Sequence, residues 1–182
     1  SAMKMVSAAK LKKAQDAITA MRPYADKLTE LLQGLSATLD ADSGSKFSIQ
    51  REVKNVLIVP ITSNRGLCGA FNSNIIKQTN VLVNDVYANK NVSVIAIGKK
   101  ANDAFKKQNR VVANKSEVFD DLTFDNVAEI AQFLMDKFVA GDYDKIEIVY
   151  NHFKNAATQL VMTEQFLPIV PIEGDANVNL DY

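Results

Sequence analysis

A stripe of small and apolar residues along the first forty positions constrains this chain more than any other feature: Ser7, Leu11, Ala14, Ile18, Met21, Ala25, Leu28, Leu32, Leu35 and Leu39. The steps between them alternate between four and three without a break. A sustained period of about 3.5 keeps one helix face turned toward a partner helix and implies left-handed supercoiling. A helix that merely lies on its own sheet has a broader apolar face and ends within about 20 residues. The stripe therefore calls for a second helix with a matching seam, and no later segment of the 182 residues carries one. Pro23 lies inside the run, where loss of its N–H predicts a kink, and we read one long helix bent near Met21 to Tyr24. Residues 40–46, Asp-Ala-Asp-Ser-Gly-Ser-Lys, are small, polar and turn-forming, which predicts the helix stop and a loop.

From Val53 onward, short β-branched runs alternate with helical stretches, the pattern of an α/β domain with a mostly parallel sheet. Strands are expected at 56–62, 92–97, 146–150 and 159–166, the last returning beside its predecessor, with a short extended piece at 111–112. Helices are expected at 71–87, at 99–108 and at 124–139, with Asp125 as the N-cap of the last. The fold class is thus α/β, preceded by a long heptad-patterned helix. The chain divides into a helix-and-loop segment, 1–46, and an α/β domain, 47–182.

Composition removes several functions. Lys plus Arg and Asp plus Glu both number 21, so the strongly basic balance of a duplex-binding protein is absent. Cys68 is the single cysteine and His152 the single histidine, which excludes an internal disulfide and leaves too few soft ligands for a usual zinc site. The apolar runs near 56–64 and 92–98 fall short of the roughly 18–20 residues that span a bilayer, and no signal peptide is visible. Charge is unevenly placed all the same. Residues 1–15 hold four lysines and no acid, 86–115 hold seven basic residues against Asp103, and 116–147 hold nine acids against two lysines. Such blocks are either solvated faces or docking surfaces.

The turn Ser63-Asn-Arg-Gly-Leu-Cys-Gly69 is the most site-like segment, because it follows the first strand at the edge where open α/β sheets bind ligands. It lacks both G-x-G-x-x-G and G-x-x-x-x-G-K-S/T, so it has no phosphate-cradling grammar and no cofactor is expected. Two other readings stand. Gly66 and Gly69 can supply backbone conformations closed to other residues, a structural role. Alternatively, Cys68 near a helix N-terminus and His152 after another strand could converge as nucleophile and base of a thiol enzyme. The acids of 116–147 lack the D-x-D-x-D-G spacing of a calcium loop.

Three separated motifs then become recognisable in order: residues 2–15, Ala-Met-Lys-Met-Val-Ser-Ala-Ala-Lys-Leu-Lys-Lys-Ala-Gln; residues 22–25, Arg-Pro-Tyr-Ala; and residues 62–69, Thr-Ser-Asn-Arg-Gly-Leu-Cys-Gly. Together they closely resemble the γ subunits of F-type ATP synthases, over essentially the whole chain and more weakly from 89 to 126. The resemblance implies a non-catalytic central stalk with a Rossmann-like three-layer foot domain, whose rotation, driven by a proton-powered c-ring, alters nucleotide affinity in the catalytic β subunits. It also implies partners: the α and β subunits, the ε subunit, the c-ring, and a C-terminal helix of the same subunit that would complete the seam. Met3, Lys4, Lys10, Lys12 and Lys13 match the part passing the β subunits. Arg22, Pro23 and Tyr24, with Asp181 and Tyr182, match the end facing ε and the c-ring. Arg65, Gly66, Leu67, Cys68 and Gly69 match the foot-domain motif, taken as structural support. Relative to the family, further N-terminal residues, the C-terminal helix and the chloroplast redox insertion are absent, which implies a fragment of bacterial origin, peripheral to the inner membrane on its cytoplasmic face.

Overall fold

The computed structural model describes residues 2–38 and 46–170, and the side chains of 34–38 fall outside the description. The expectations on Leu35 as a seam side chain, on Leu39, on most of the 40–46 loop, and on Asp181 and Tyr182 therefore lie outside the described residues. The chain forms two compact units, one holding the long helix and one spanning Ser45–Ile169.

Helix α1 runs Ala2–Thr38 as a single element with Pro23 inside it. Proline removes only one hydrogen bond of the ladder, and the helix is not divided there. Its 37 residues correspond to a rod of about 55 Å. Neither terminus is helped by charge, since the first turn holds no acid and the last no base. Within 2–33 nearly every side chain is exposed, with Gln15, Ile18, Arg22 and Gln33 half-buried. The stripe leucines at 11, 28 and 32 are 42%, 42% and 53% exposed. The Lys27–Glu30 ion pair at 2.9 Å is itself in water and contributes only tenths of a kcal/mol.

The second unit is a five-stranded sheet of order β3-β2-β1-β4-β5. In chain order its elements are β1 (Asn55–Pro60), α2 (Phe71–Val81), β2 (Asn91–Ala96), α3 (Lys99–Phe105), β3 (Val111–Asn114), α4 (Phe124–Val139), β4 (Lys145–Asn155) and β5 (Thr158–Leu167). β1 pairs in parallel with β2 and β4, β2 in parallel with β3, and β5 returns antiparallel beside β4. The near-continuous apolarity of β1 has its expected cause: Val56 to Val59 are all buried, alternately on two faces. Val56 and Ile58 join Ile75, Leu82, Val92 and Val149 beneath α2. Leu57 and Val59 join Ile95, Ile130, Leu134, Phe138 and Ile146 beneath α4. The result is an α/β/α three-layer domain, mostly parallel, as the fold class implied.

Local chemistry moves several boundaries. The N-cap of α4 is Thr123, not Asp125: Thr123 Oγ1 accepts from Asn126 N at 3.2 Å. Asp125 sits one residue inside the helix, where it complements the dipole instead of capping. The predicted helix 71–87 becomes a π turn at Leu82–Val86, and a 3-10 turn at Ser116–Phe119 was not foreseen. β4 continues to Asn155, five residues past its expected end. Arg51 closes the far end of α4, donating to Phe138 O at 2.9 Å and Tyr143 O at 3.2 Å while its guanidinium lies 4.6 Å from the Phe138 ring centroid. Asp144, buried, accepts from the backbone N–H of Lys54 and Asn55, both at 2.9 Å, and so fixes the entry to β1. Burial alone would raise this carboxyl's pKa, but the two N–H bonds and the charges of Arg51 and Lys54 hold it below the ordinary range.

Candidate functional site

The strand order reverses at β1, so the C-terminal edge around β1, β2 and β4 is where a sheet of this kind would take a ligand. β1 ends at Pro60, Ile61 makes one bridge to Ile97, and Thr62 turns away fully buried. Thr62 Oγ1 accepts from Ala101 N at 3.0 Å, and Asn64 Oδ1 accepts from Lys99 N at 2.8 Å while its Nδ2 donates to Ser116 O at 3.0 Å. Gly98 permits this approach. It has φ +110, and a Cβ there would lie 2.2 Å from Thr62 O. The first N–H groups of α3, those of Lys99, Lys100 and Ala101, are already satisfied by Asn64 Oδ1, Ser63 O and Thr62 Oγ1 and are not free to hold a phosphate.

The loop after β1 is knotted from within. Buried Asn72 accepts from Ser63 N at 2.9 Å through Oδ1. Its Nδ2 donates to Arg65 O at 3.0 Å, with Ser63 Oγ at 2.9 Å and Cys68 Sγ at 3.1 Å also within reach. Ser63 Oγ donates to Arg65 O at 2.6 Å. This knot leaves Arg65, Gly66, Leu67, Cys68 and Gly69 all exposed. Gly69 has φ +58, a left-handed turn suited to glycine; Leu67 shares that region at φ +57, where a leucine is strained. Two surface hollows, one along α2 at Ser73, Lys77, Asn80 and Asp85 and one beside α4 at Lys115, Glu129 and Phe133, include no residue of this loop.

The thiol-enzyme pair is not assembled. Cys68 is exposed beside Asn72 at the start of α2. His152 does not follow a strand; it lies inside β4, opposite Leu160 of β5. Side chains alternate along a strand, and Asn151 donates to Phe71 O on the α2 side, so His152 faces the other side of the sheet from Cys68. Among the described residues no cluster of three or more His, Cys, Asp or Glu could hold a metal, and no helix is long and apolar enough to cross a membrane.

The residues that hold this edge, Thr62, Asn64, Asn72 and Gly98, are ordinary in sequence. Only the partners that folding supplies give them meaning, although a polar Thr-Ser-Asn run straight after a fully apolar strand is a usable signal. On α1, Met3, Lys4, Lys10, Lys12 and Lys13 are exposed, as are Pro23 and Tyr24, while Arg22 is half-buried.

The C-terminal edge of the sheet is thus occupied by the chain's own Thr62 and Asn64, and the same chain carries a long helix with an exposed apolar stripe, an α/β domain with a helical arm. A family model described as ATP synthase matches residues 1–182, and the chain belongs to that family. It is 69% identical over 179 residues to the ATP synthase gamma chain of Flavobacterium psychrophilum, covering 98% of this chain and 62% of that one. Against the gamma chain of Christiangramia forsetii it is 59% identical over 181 residues, covering 100% and 63%. The chain thus spans less than two thirds of the length of these relatives. Among solved structures, the central stalk and c-ring of the Tetrahymena thermophila mitochondrial ATP synthase contains a chain matched with TM-score 0.68 and 26% identity, over 92% of this chain and 71% of that one.

Proposed function

We propose that this chain is the non-catalytic central-stalk part of a rotary ATP synthase, coupling proton-driven rotation of a c-ring to the nucleotide affinities of the catalytic β subunits. The observation that carries the reading is the bare 3.5-period stripe of α1 in a chain whose relatives are gamma chains: leucines at 11, 28 and 32 are left in water, and such a seam is built for a second helix. In this reading residues 1–46 are the stalk segment and 47–182 the foot, and the second helix comes from the part of the relatives' length beyond this chain.

An asymmetric shaft can shift a β subunit only by the difference in contact free energy between that subunit's conformations. The work is mechanical, and no residue here performs chemistry. Met3, Lys4, Lys10, Lys12 and Lys13 pass the β subunits, with charge attraction that salt screens at an exposed surface. Arg22, Pro23 and Tyr24, with Asp181 and Tyr182, face ε and the c-ring. The assembly sits at the cytoplasmic face of a bacterial inner membrane, with this subunit peripheral. The self-capped edge of the sheet supports placing nucleotide chemistry in other subunits. Calorimetry on the isolated chain should give no micromolar binding of ATP.

The test uses the full-length subunit in membranes. Leu32→Asp would bury an unpaired carboxylate in the completed seam, which costs several kcal/mol. ATP hydrolysis by the hexamer should survive in part while proton-driven synthesis falls sharply. Normal synthesis with a normal amount of subunit retained would contradict the reading. Cys68→Ser should leave synthesis unchanged, whereas a thiol enzyme would lose its nucleophile.

A further inference from the structure

The stripe on α1 reads the same in both directions along the helix. Between Ser7 and Leu32 its steps run four, three, four, three, four, three, four, so reversing the helix about a point between Thr19 and Ala20 lays the stripe on itself. The residues match in size as well as in place. Leu11 falls on Leu28, Ala14 on Ala25, Ile18 on Met21, and Ser7 on Leu32. Alanine opposite alanine lets two backbones approach, while leucine opposite leucine and isoleucine opposite methionine fill the layers on either side. The stripe is open to receive such a partner: Leu11, Met21, Leu28 and Leu32 are 42%, 61%, 42% and 53% exposed.

Charge selects the direction. Residues 1–15 hold four lysines and no acid, whereas 24–33 hold Asp26 and Glu30 against Lys27. A parallel pair would set the two lysine-rich ends side by side. An antiparallel pair sets each beside the end that carries the two acids, and it also opposes the two helix dipoles favourably. At the positions flanking the seam, Lys10 then comes next to the partner's Leu31 and Arg22 next to the partner's Gln15, so no charge there meets its like.

We propose that a second copy of this chain covers the seam: two α1 helices pair antiparallel about a twofold axis between residues 19 and 20, over about 38 Å of helix. Each of the four matched pairs occurs twice, and Leu11, Ile18, Met21, Leu28 and Leu32 of both copies leave water together. The contact uses the same patch on both copies and is closed, so association stops at the dimer. The inference goes beyond the stalk reading, in which another helix of the same subunit takes the seam. A second copy competes for that place when this chain stands alone.

Sedimentation equilibrium of the 182-residue chain tests the pairing, and cysteine cross-linking tests its direction. The mass is expected to rise from that of one chain near about 1 µM to twice that near about 200 µM, a micromolar dissociation constant. The mass of one chain throughout overturns the inference and leaves the stalk reading intact. Leu28→Asp sets a carboxylate in two of the layers and is expected to weaken the dimer at least about a hundredfold, whereas Ala9→Asp, the same charge on the opposite helix face, should change it less than about threefold. A dimer indifferent to Leu28→Asp overturns the inference by placing the contact elsewhere. In a Cys68→Ser background, a mixture of Ala14→Cys and Ala25→Cys chains is expected to form the mixed disulfide at least about tenfold faster than either variant alone, because antiparallel pairing holds position 14 opposite the partner's position 25 and about 17 Å from the partner's position 14. Faster cross-linking of each variant with itself shows a parallel pair and overturns the inference. The full-length subunit is run beside the chain. The mass of one subunit at about 200 µM supports both readings, because its own second helix then holds the seam. The same 14-to-25 cross-link between full-length subunits supports the inference and counts against the stalk reading.

Discussion

Two regions of this chain treat the same kind of side chain in opposite ways. In the sheet domain Leu57, Ile58, Ile95, Phe105, Phe138 and Ile146 are withdrawn completely from water. In α1, the leucines at 11, 28 and 32 remain about half exposed. Apolarity is similar; its period differs. A continuous strand run and the four-residue steps Ile130, Leu134 and Phe138 on α4 meet partners inside their own domain. A 3.5-period stripe meets none among the described residues, because its natural partner is another helix of the same kind. Stability therefore resides in one region, and a demand for a partner in the other.

The largest expected effect breaks this comparison if it fails. Phe138→Ala removes a fully buried ring and the surface over which Arg51 lies, and should cost about 3–5 kcal/mol in urea unfolding of the chain. Leu28→Ala in the same chain should change stability by less than about 0.5 kcal/mol. A comparable loss at both positions would mean that the α1 stripe is already packed.

Next in size is Asp144→Ala, which leaves the N–H groups of Lys54 and Asn55 without their acceptor and should cost about 2–3 kcal/mol at neutral pH. The pH dependence has a definite sign. The folded carboxyl titrates below the ordinary range, so its contribution is complete above the unfolded value near 3.9 and is lost as pH falls through the lower folded value. The deficit of the variant relative to the unaltered chain should shrink below about pH 4. A deficit constant down to pH 2 would show that the ionised form is not what matters.

Thr123→Ala deletes the α4 cap and should cost about 1 kcal/mol, whereas Asp125→Ala should cost less than half of that, having only a dipole contribution to lose. The reverse order would restore Asp125 as the cap. The smallest effect is a gain. Leu67→Asn relieves a strained left-handed leucine and should raise the stability of the isolated chain by up to about 1 kcal/mol, sharpening the contrast between residues buried for folding and an exposed one that folding does not need.

What could be read in the sequence follows the same division. The strands, the helices after them, the three-layer class and the α1 seam were legible because each depends on a periodic pattern long enough to have one physical solution. Boundaries were less so. Thr123 and Asp125 are both good N-caps, and only the reach of Thr123 Oγ1 to Asn126 N decides between them. The polar run that begins at Asn151 reads as a turn holding His152 after a strand 146–150, yet the β5 partner carries β4 through it. The closed ligand edge was illegible, since Thr62, Asn64 and Asn72 become caps only when α3 and the 63–69 loop are brought to them. The absence of a phosphate motif was readable; what fills its place was not.

The α1 seam is one that no helix among the described residues completes. Amide hydrogen exchange, compared between the isolated monomeric chain and the full-length subunit in its complex, tests it most directly. In the isolated chain the amides of Leu11 to Met21 should exchange orders of magnitude faster than those of Val56 to Ile61, because isolated helices gain most of their stability from packing. In the complex the two sets should approach equal protection. Equal protection already present in the isolated monomer would contradict the claim, for it would show that α1 needs no partner.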